Sequence, residues 1–248
     1  MQDGIQVHAV ILSAAPAGEA DRRIVLLTKE LGKVSVFARG ARRPTSAFVG
    51  ATRPFSYGVF TIAQGRSAYS LVKAEISEYF EEISQDVEKS AYAFSFCEFA
   101  GYFARENADE TGTLSLLYLA LRALLSEKMP MRLIQLAFEC RILSENGLFP
   151  AFSSCAMCRK PLFSGRFLKS LMQPVCEDCR KEEEGLFLPR SALYALEYIR
   201  TAPLARLFGF TVTDEVLSRM LPVAEIIVHN AIDRELPARK MLGVLTGN

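Results

Sequence analysis

Residues 32–43 read Gly-Lys-Val-Ser-Val-Phe-Ala-Arg-Gly-Ala-Arg-Arg, and this stretch decides the fold of the N-terminal part of the chain. Val34, Val36 and Ala38 alternate with residues of a different character. The intervening positions carry two cations that flank an aromatic ring, namely Lys33, Ser35, Phe37 and Arg39. Because successive side chains of a β-strand point to opposite faces, the pattern predicts a half-buried strand. Its small apolar face suits the interior of a barrel.

The predicted strand runs into a basic turn that contains Arg42 and Arg43 and is followed by Pro44. Small barrels often meet single-stranded nucleic acid with such a surface, because cations contact phosphates and an aromatic ring stacks on a base. The alternative interpretation is a solvated strand face with one partly buried phenylalanine. Further cations, Arg22 and Arg23, come directly before the apolar run at residues 24–28 and are secondary candidates.

Four other apolar runs accompany this strand, at residues 6–12, 24–28, 54–63 and 70–76. Glycines separate the runs, as turns or bulges require. Five short strands within residues 1–80 predict a closed or nearly closed barrel, for which the five-stranded OB-fold is the leading candidate. An SH3-like barrel remains the alternative, since strand spacing does not separate the two.

Residues 84–147 show helical periodicity, and Ser84 is the predicted N-cap of the first helix. Apolar stripes at helical spacing predict a bundle core, and the aromatic-rich first helix could instead offer a groove to a partner peptide. Two more helices are predicted, at residues 189–200 and 213–233, with Pro222 expected to kink the second or to mark its true start.

Four cysteines lie in the loop-rich segment between the helical regions. The pairs Cys155-x2-Cys158 and Cys176-x2-Cys179 are separated by 17 residues. Two thiolate pairs at such a spacing fit one tetrahedral Zn²⁺ site, and four sulfur ligands close the coordination shell, so the predicted zinc is structural. The less favoured alternatives are disulfides, which a reducing cytosol disfavours, and redox dithiols, which would need only one of the two pairs.

Charge is distributed unevenly along the chain, although the net charge is only +1. Residues 1–75 carry a balance of +5, residues 76–154 carry −6, and residues 155–248 carry +2. The first part therefore suits an anionic polymer. No apolar run is long enough to span a membrane and no secretory signal is visible, so a cytoplasmic protein is expected. Phosphate-binding loops, nucleophile elbows and acidic clusters are missing, which disfavours an enzyme.

Several segments together resemble the bacterial RecO recombination-mediator family. The resemblance rests on residues 18–24, 28–33 and 38–44, on Phe138-Glu139, on the cysteine pairs, and on Arg234 with Leu236. It implies an OB-fold, a helical domain and a zinc element. It also implies binding to single- and double-stranded DNA, strand annealing, and recombinase loading onto DNA coated by single-strand-binding protein. The implied partners are RecR and the C-terminal tail of single-strand-binding protein. Since some members of this family lack the cysteines, the zinc prediction depends on their spacing alone.

We therefore predict an α+β multidomain protein with four parts: an OB-fold at 1–80, a helical bundle at 81–150, a four-cysteine zinc-binding element at 151–188, and C-terminal helices at 189–248 that pack on the bundle. The predicted function is a non-enzymatic DNA-binding recombination mediator, cytoplasmic and nucleoid-associated. A general RNA- or ribosome-binding module is the alternative. The predicted DNA contacts are Lys33, Phe37, Arg39, Arg42 and Arg43, with Arg22 and Arg23 secondary.

Overall fold

The computed structural model describes residues 4–65, 68–179 and 185–247. The chain forms two compact units: the first comprises Met1–Leu125 with Leu236–Asn248, and the second comprises Ser126–Glu235. The finer division into four parts stays a prediction.

A closed five-stranded barrel forms the N-terminal part of the first unit. Its strands are β1 (Ile5–Ala17), β2 (Asp21–Thr28), β3 (Gly32–Ala38), β4 (Tyr57–Gln64) and β5 (Tyr69–Glu78). They follow the order β1-β2-β3-β5-β4, and only the β3–β5 pairing within this barrel is parallel. A short helix, α1 (Phe48–Ala51), lies in the connection from β3 to β4. The OB-fold prediction is confirmed.

The interior of the barrel is built by the alternation read from residues 32–43. Val34, Val36 and Ala38 are buried, whereas Phe37 and Arg39 are exposed. The inward residues of the other strands complete one apolar cluster, which includes Val7, Ile11, Leu26, Phe60 and Leu71. The burial of this cluster is the main source of the barrel's stability, since apolar burial contributes roughly 25 cal/mol per Å².

Two strands extend beyond their predicted limits. β1 continues to Ala17 through a register shift between Ile11 and Ser13, and β2 begins at Asp21. The predicted run at 24–28 therefore starts earlier, and Arg22 and Arg23 belong to its strand. Because neighbouring strand residues face opposite sides, these two arginines point in different directions.

Helices complete the first unit, and besides α1 those in its described part are α2 (Glu81–Gln85), α3 (Val87–Phe103), α4 (Thr111–Leu125) and α9 (Pro237–Thr246). The prediction of Ser84 as an N-cap is wrong, because Ser84 lies inside α2. The Asp86 carboxylate caps α3 instead by accepting the Lys89 N–H at 2.9 Å. The carboxylate of Glu98 on α3 accepts the Arg239 N–H at 3.0 Å, which fixes the start of α9 against α3.

The start of β3 is fastened to the loop that follows α3. The Lys33 backbone N–H donates to the Arg105 carbonyl at 2.9 Å, and the Asn107 N–H donates to the Leu31 carbonyl at 2.9 Å. Gly32 lies between these two hydrogen bonds and has φ of +66°. The Arg105 carbonyl oxygen lies close to its Cα, and a Cβ added to Gly32 would be only 2.0 Å from that oxygen. The barrel and the helices of this unit thus meet through a backbone contact that needs glycine.

The second unit combines helices with a small sheet. The α-helices in its described part are α5 (Met131–Glu145), α6 (Arg190–Thr201), α7 (Leu204–Leu207) and α8 (Asp214–Ala231). The described strands are β6 (Gly165–Leu168), β7 (Gln173–Val175) and β8 (Leu186–Leu188), in the order β7-β6-β8. Gly147 follows the end of α5, with φ of +72° and the paired terminal bonds of a Schellman motif. Pro222 neither starts nor interrupts α8, which the Thr213 hydroxyl caps.

Arg141 on α5 holds the end of α6. Its guanidinium donates to the carbonyls of Ile199, Arg200 and Ala202, and its Nε lies 3.3 Å from a Glu145 carboxylate oxygen. A cation at the carbonyls that end a helix also complements the negative end of the helix dipole. No helix among the described residues has the length and apolar character needed to cross a bilayer.

Candidate nucleic-acid interface and metal centre

The outward faces of four barrel strands form one continuous row. Ala15 on β1 stands opposite Arg23 on β2, Arg23 stands opposite Phe37 on β3, and Phe37 stands opposite Ser70 on β5. We call these four residues the barrel wall. The Phe37 ring is 37 % exposed, and the small residue Ala15 leaves Arg23 open to solvent. An exposed ring beside a guanidinium is an arrangement on which a nucleobase can stack.

The basic loop, residues 39–43, continues from the wall at the end of β3. Gly40 has φ of +66° and donates its N–H to the Asp21 carboxylate at 2.7 Å, which turns the chain sharply. The Arg42 guanidinium donates to the Gly18 carbonyl at 2.9 Å, and its N–H donates to the Ala20 carbonyl at 2.9 Å. These bonds hold the loop against the β1–β2 turn and present Arg39, Arg42 and Arg43 to solvent.

The seven predicted contact residues fall into two groups. Phe37, Arg39, Arg42, Arg43 and Arg23 are exposed on the wall or the loop. The Arg23 guanidinium donates to the Ser35 hydroxyl at 2.8 Å, and within the described chain the side chains of Arg39 and Arg43 have neither a hydrogen bond nor an ion pair. No described carboxylate forms an ion pair with any of these arginines.

The other two predicted residues point into the protein. The Lys33 ammonium is half-buried and donates to the Gly101 carbonyl of α3 at 2.5 Å. The Arg22 guanidinium donates to the Val49 carbonyl at 3.1 Å and the Thr52 hydroxyl at 2.9 Å, so it joins β2 to the end of α1. The structure does not bring these two cations to the surface formed by the other five.

Three residues of the interface were missed from the sequence. The Asp21 carboxylate holds the basic loop, the Ser35 hydroxyl orients Arg23, and the small side chain of Ala15 leaves space beside Arg23. Ala15 and Asp21 could have been found only by extending β1 and β2 to their true ends, and the role of Ser35 follows only once Arg23 is placed on β2. The Ser13-to-Ala17 segment contains small residues and a proline, which carry little strand signal.

The four cysteines of the second unit form a candidate metal centre. The Sγ atoms of Cys155, Cys158, Cys176 and Cys179 all lie within 4.8 Å of one another, and the Cys158–Cys176 pair is 3.7 Å apart. Four sulfurs at about 2.3 Å from one tetrahedral ion would be separated by similar distances. The predicted clustering is therefore confirmed, and these residues could hold a metal ion.

The electrostatics of the cluster favour a cation. Burial raises the pKa of the Cys155 thiol, but the N–H groups of Cys158, Cys176 and Met157 outweigh burial and lower that pKa to about 6. The pKa of Cys179 is raised to about 12, because its thiol shares hydrogen bonds with Cys176 and Cys158. One thiolate therefore forms readily, and a divalent cation would let the remaining sulfurs ionise.

The small sheet and two backbone turns position the sulfurs. The Cys155 N–H donates to the Lys160 carbonyl at 2.9 Å, which closes the first turn, and the Cys179 N–H donates to the Cys176 carbonyl at 3.1 Å in the second. The Ala156 N–H donates to the Pro174 carbonyl at 3.0 Å and so draws the first turn onto β7. Gly165 on β6 lets the Val175 carbonyl approach, since a Cβ there would lie 2.4 Å from that oxygen.

Comparison with known proteins adds the family to this geometry. Residues 1–80 match the family model described as Recombination protein O N terminal, and residues 84–240 match the model described as Recombination protein O C terminal. The chain belongs to the RecO family. The two family matches meet close to the end of the barrel at β5.

Individual RecO proteins cover nearly all of the chain. The DNA repair protein RecO of Desulforudis audaxviator is 35 % identical over 93 % of this chain and 92 % of its own length. The DNA repair protein RecO of Acetivibrio thermocellus is 28 % identical over the same shares, and that of Alkaliphilus metalliredigens is 31 % identical over 71 % of this chain and 72 % of its own.

Proposed function

We propose that this RecO-family chain acts in recombinational DNA repair as a DNA-binding mediator. It binds single- and double-stranded DNA, anneals complementary strands, and helps to load recombinase onto DNA coated by single-strand-binding protein. The observation that carries the proposal is the group of exposed arginines in the basic loop, unpaired with any described carboxylate, directly beside the exposed Phe37. Membership of the RecO family, whose relatives are named DNA repair proteins, supports a nucleic acid that is DNA.

Phosphate contact is assigned to Arg39, Arg42 and Arg43, with Arg23 on the barrel wall. A cation that already pairs with a carboxylate gains little binding free energy from a phosphate. A guanidinium without such a partner neutralises the phosphate that it contacts, and the counterion released from the DNA raises the affinity. Lys33 and Arg22 are left out, because both are half-buried and their side chains donate inside the first unit, whereas Arg42 is exposed.

Annealing needs no nucleophile. The arginines lower the repulsion between two phosphate backbones, and base pairing then supplies the free energy. Phe37 provides a face for one unpaired base, which helps to keep a single strand open until its complement arrives. This division of roles makes the chain a binding protein rather than a catalyst.

The proposed metal is structural Zn²⁺ held by Cys155, Cys158, Cys176 and Cys179. When bound, zinc supplies four ligand bonds that cross-link the two turns of the element. We propose RecR and the acidic C-terminal tail of single-strand-binding protein as the protein partners, in keeping with the RecO family.

An annealing assay tests this function. Two complementary oligonucleotides, one labelled with a donor dye and the other with an acceptor, are mixed with the protein in the presence or absence of single-strand-binding protein. The wild-type chain is expected to accelerate annealing. The double variant Arg42→Ala with Arg43→Ala is expected to lose about tenfold or more of that acceleration, because two phosphate contacts are removed.

The matched control is Lys73→Ala. Lys73 is also an exposed barrel cation, but its ammonium lies 2.9 Å from the Glu75 carboxylate, and its removal should leave annealing unchanged. An RNA pair annealed as fast as the DNA pair would favour the alternative of a general RNA-binding module. A wild-type chain that accelerates neither reaction would refute the proposal.

A further inference from the structure

The metal-binding element exposes side chains that a folded domain usually buries. Phe163 is 65 % exposed and Met157 is 51 % exposed, although both lie in a segment whose Phe152 and Phe167 rings are buried. Two exposed cations, Arg159 and Lys160, lie close by in the chain. Exposed aromatic and cationic side chains together are typical of a binding surface.

The local backbone explains why Phe163 faces solvent. The Leu162 N–H donates to the Ser153 carbonyl at 3.0 Å, and Ser154 pairs with Pro161, so the residues on either side of the first cysteine turn run antiparallel. Leu162 is buried in this pairing. Its neighbour Phe163 is therefore turned outward, and the turn that carries Arg159 and Lys160 lies at the end of the same hairpin.

A third cation stands on the Phe163 ring. The Arg190 guanidinium carbon lies 5.4 Å from the ring centroid, within the range of a cation–π interaction. Within the described chain, no carboxylate pairs with the side chains of Arg159, Lys160 or Arg190. We call Arg159, Lys160, Phe163 and Arg190 the ribbon surface.

The same element contains a second cation beside an aromatic ring, but this cation has partners within the protein. Arg166 on β6 stands opposite Phe187 on β8, with its guanidinium carbon 6.0 Å from the ring centroid. The Arg166 Nε also lies 3.6 Å from a Glu177 carboxylate oxygen, and its Nη1 donates to the Gly185 carbonyl at 3.1 Å. The charge of Arg166 is therefore paired within the element, whereas the cations of the ribbon surface have no described carboxylate partner.

We infer that the ribbon surface is a second contact site for single-stranded nucleic acid. A base stacks on Phe163 beside Arg190, and phosphates approach Arg159 and Lys160. An apolar partner would leave three cations unpaired, and an acidic partner without rings would leave Phe163 in water. A single strand matches both requirements, because it carries a charge and a flat apolar face at each nucleotide. This inference rests on the proposed function.

The test measures the affinity of the full-length, metal-loaded chain for a labelled single strand of about 30 nucleotides, long enough for more than one site at roughly 4–16 nucleotides each. Phe163→Ala is expected to weaken binding about fivefold or more, because one base loses its stacking partner. Phe163→Leu should lose as much, since it keeps apolar bulk but has no ring. The double variant Arg159→Ala with Lys160→Ala should reduce the magnitude of the salt slope by about 1.4.

The control is Phe187→Ala, which should bind like the wild type because its cation is engaged with Glu177. The Arg42→Ala, Arg43→Ala variant is measured in parallel. If that variant binds more weakly while Phe163→Ala and Phe163→Leu bind normally, the ribbon contact is overturned and the proposed function stands. If the wild type binds no DNA, the ribbon contact and the proposed function are both refuted. Binding of polyglutamate to the wild type and to the Phe163 variants is measured as well. If the Phe163 variants bind polyglutamate more weakly but keep the wild-type affinity for DNA, the surface belongs to an acidic protein and the inference is overturned.

Discussion

Replacing Cys155 by serine is expected to abolish metal binding and to unfold the small sheet of the second unit. Structural zinc binds Cys-rich peptides with an apparent free energy of about 10–16 kcal/mol at pH 7, and in such small elements this is also folding free energy. Cys155 is the buried member of the quartet, and although burial raises the pKa of its thiol, the surrounding N–H groups lower that pKa to about 6. Its loss removes the ligand around which the two turns close.

The expected outcome is one Zn²⁺ per wild-type chain and none in Cys155→Ser, measured by elemental analysis of fully reduced protein. Hydrogen exchange should become fast in β6, β7 and β8 of the variant. Cys97→Ala is the control, because Cys97 is buried in α3 and burial raises the pKa of its thiol, so it should keep the full metal content. Reduced wild-type protein without metal would contradict the prediction.

Gly32→Ala is expected to cost more than about 4 kcal/mol of the free energy of unfolding of the first unit, a size reached only when a substitution breaks a specific structural feature. Two effects combine at this position. An alanine with φ of +66° is strained by about 1 kcal/mol, and its Cβ would also lie 2.0 Å from the Arg105 carbonyl oxygen. Relief requires β3 to separate from the loop after α3, which would break the bonds at Lys33 and Asn107.

Chemical denaturation of the two-unit chain, followed by hydrogen exchange in β3, measures this loss. Gly50→Ala is the matched control: Gly50 lies in α1, nothing stands within 4 Å of its added Cβ, and its φ is not positive. Alanine there should be neutral or slightly stabilising. Equal stability of Gly32→Ala and Gly50→Ala would show that the contact between β3 and the loop is not needed.

The parts of the fold that depend on local periodicity could be predicted from the sequence. Alternation alone placed Val34, Val36 and Ala38 inside the barrel and Phe37 and Arg39 outside. The spacing of two Cys-x2-Cys pairs was enough to bring four sulfurs together, because two tight turns joined by a loop can meet at one centre.

Two of the predicted contact residues, Lys33 and Arg22, lie apart from the other five for a common physical reason. Lys33 lies on the outer face of β3, as the pattern requires, but a carbonyl on α3, 68 residues away in the chain, binds its ammonium. Arg22 and Arg23 were treated alike because the start of β2 was placed three residues too late, and a strand sends neighbours to opposite sides. Contacts distant in sequence therefore decided which cations remained free.

The salt dependence of binding to single-stranded DNA tests the central claim most directly. In a triple variant with Arg39, Arg42 and Arg43 changed to alanine, three phosphate contacts are lost, so the slope of log K against log salt should become shallower by about 2. Lys33→Ala, measured beside it, should keep the wild-type slope because its ammonium is engaged with Gly101. A triple variant with the wild-type slope would show that the basic loop does not contact DNA.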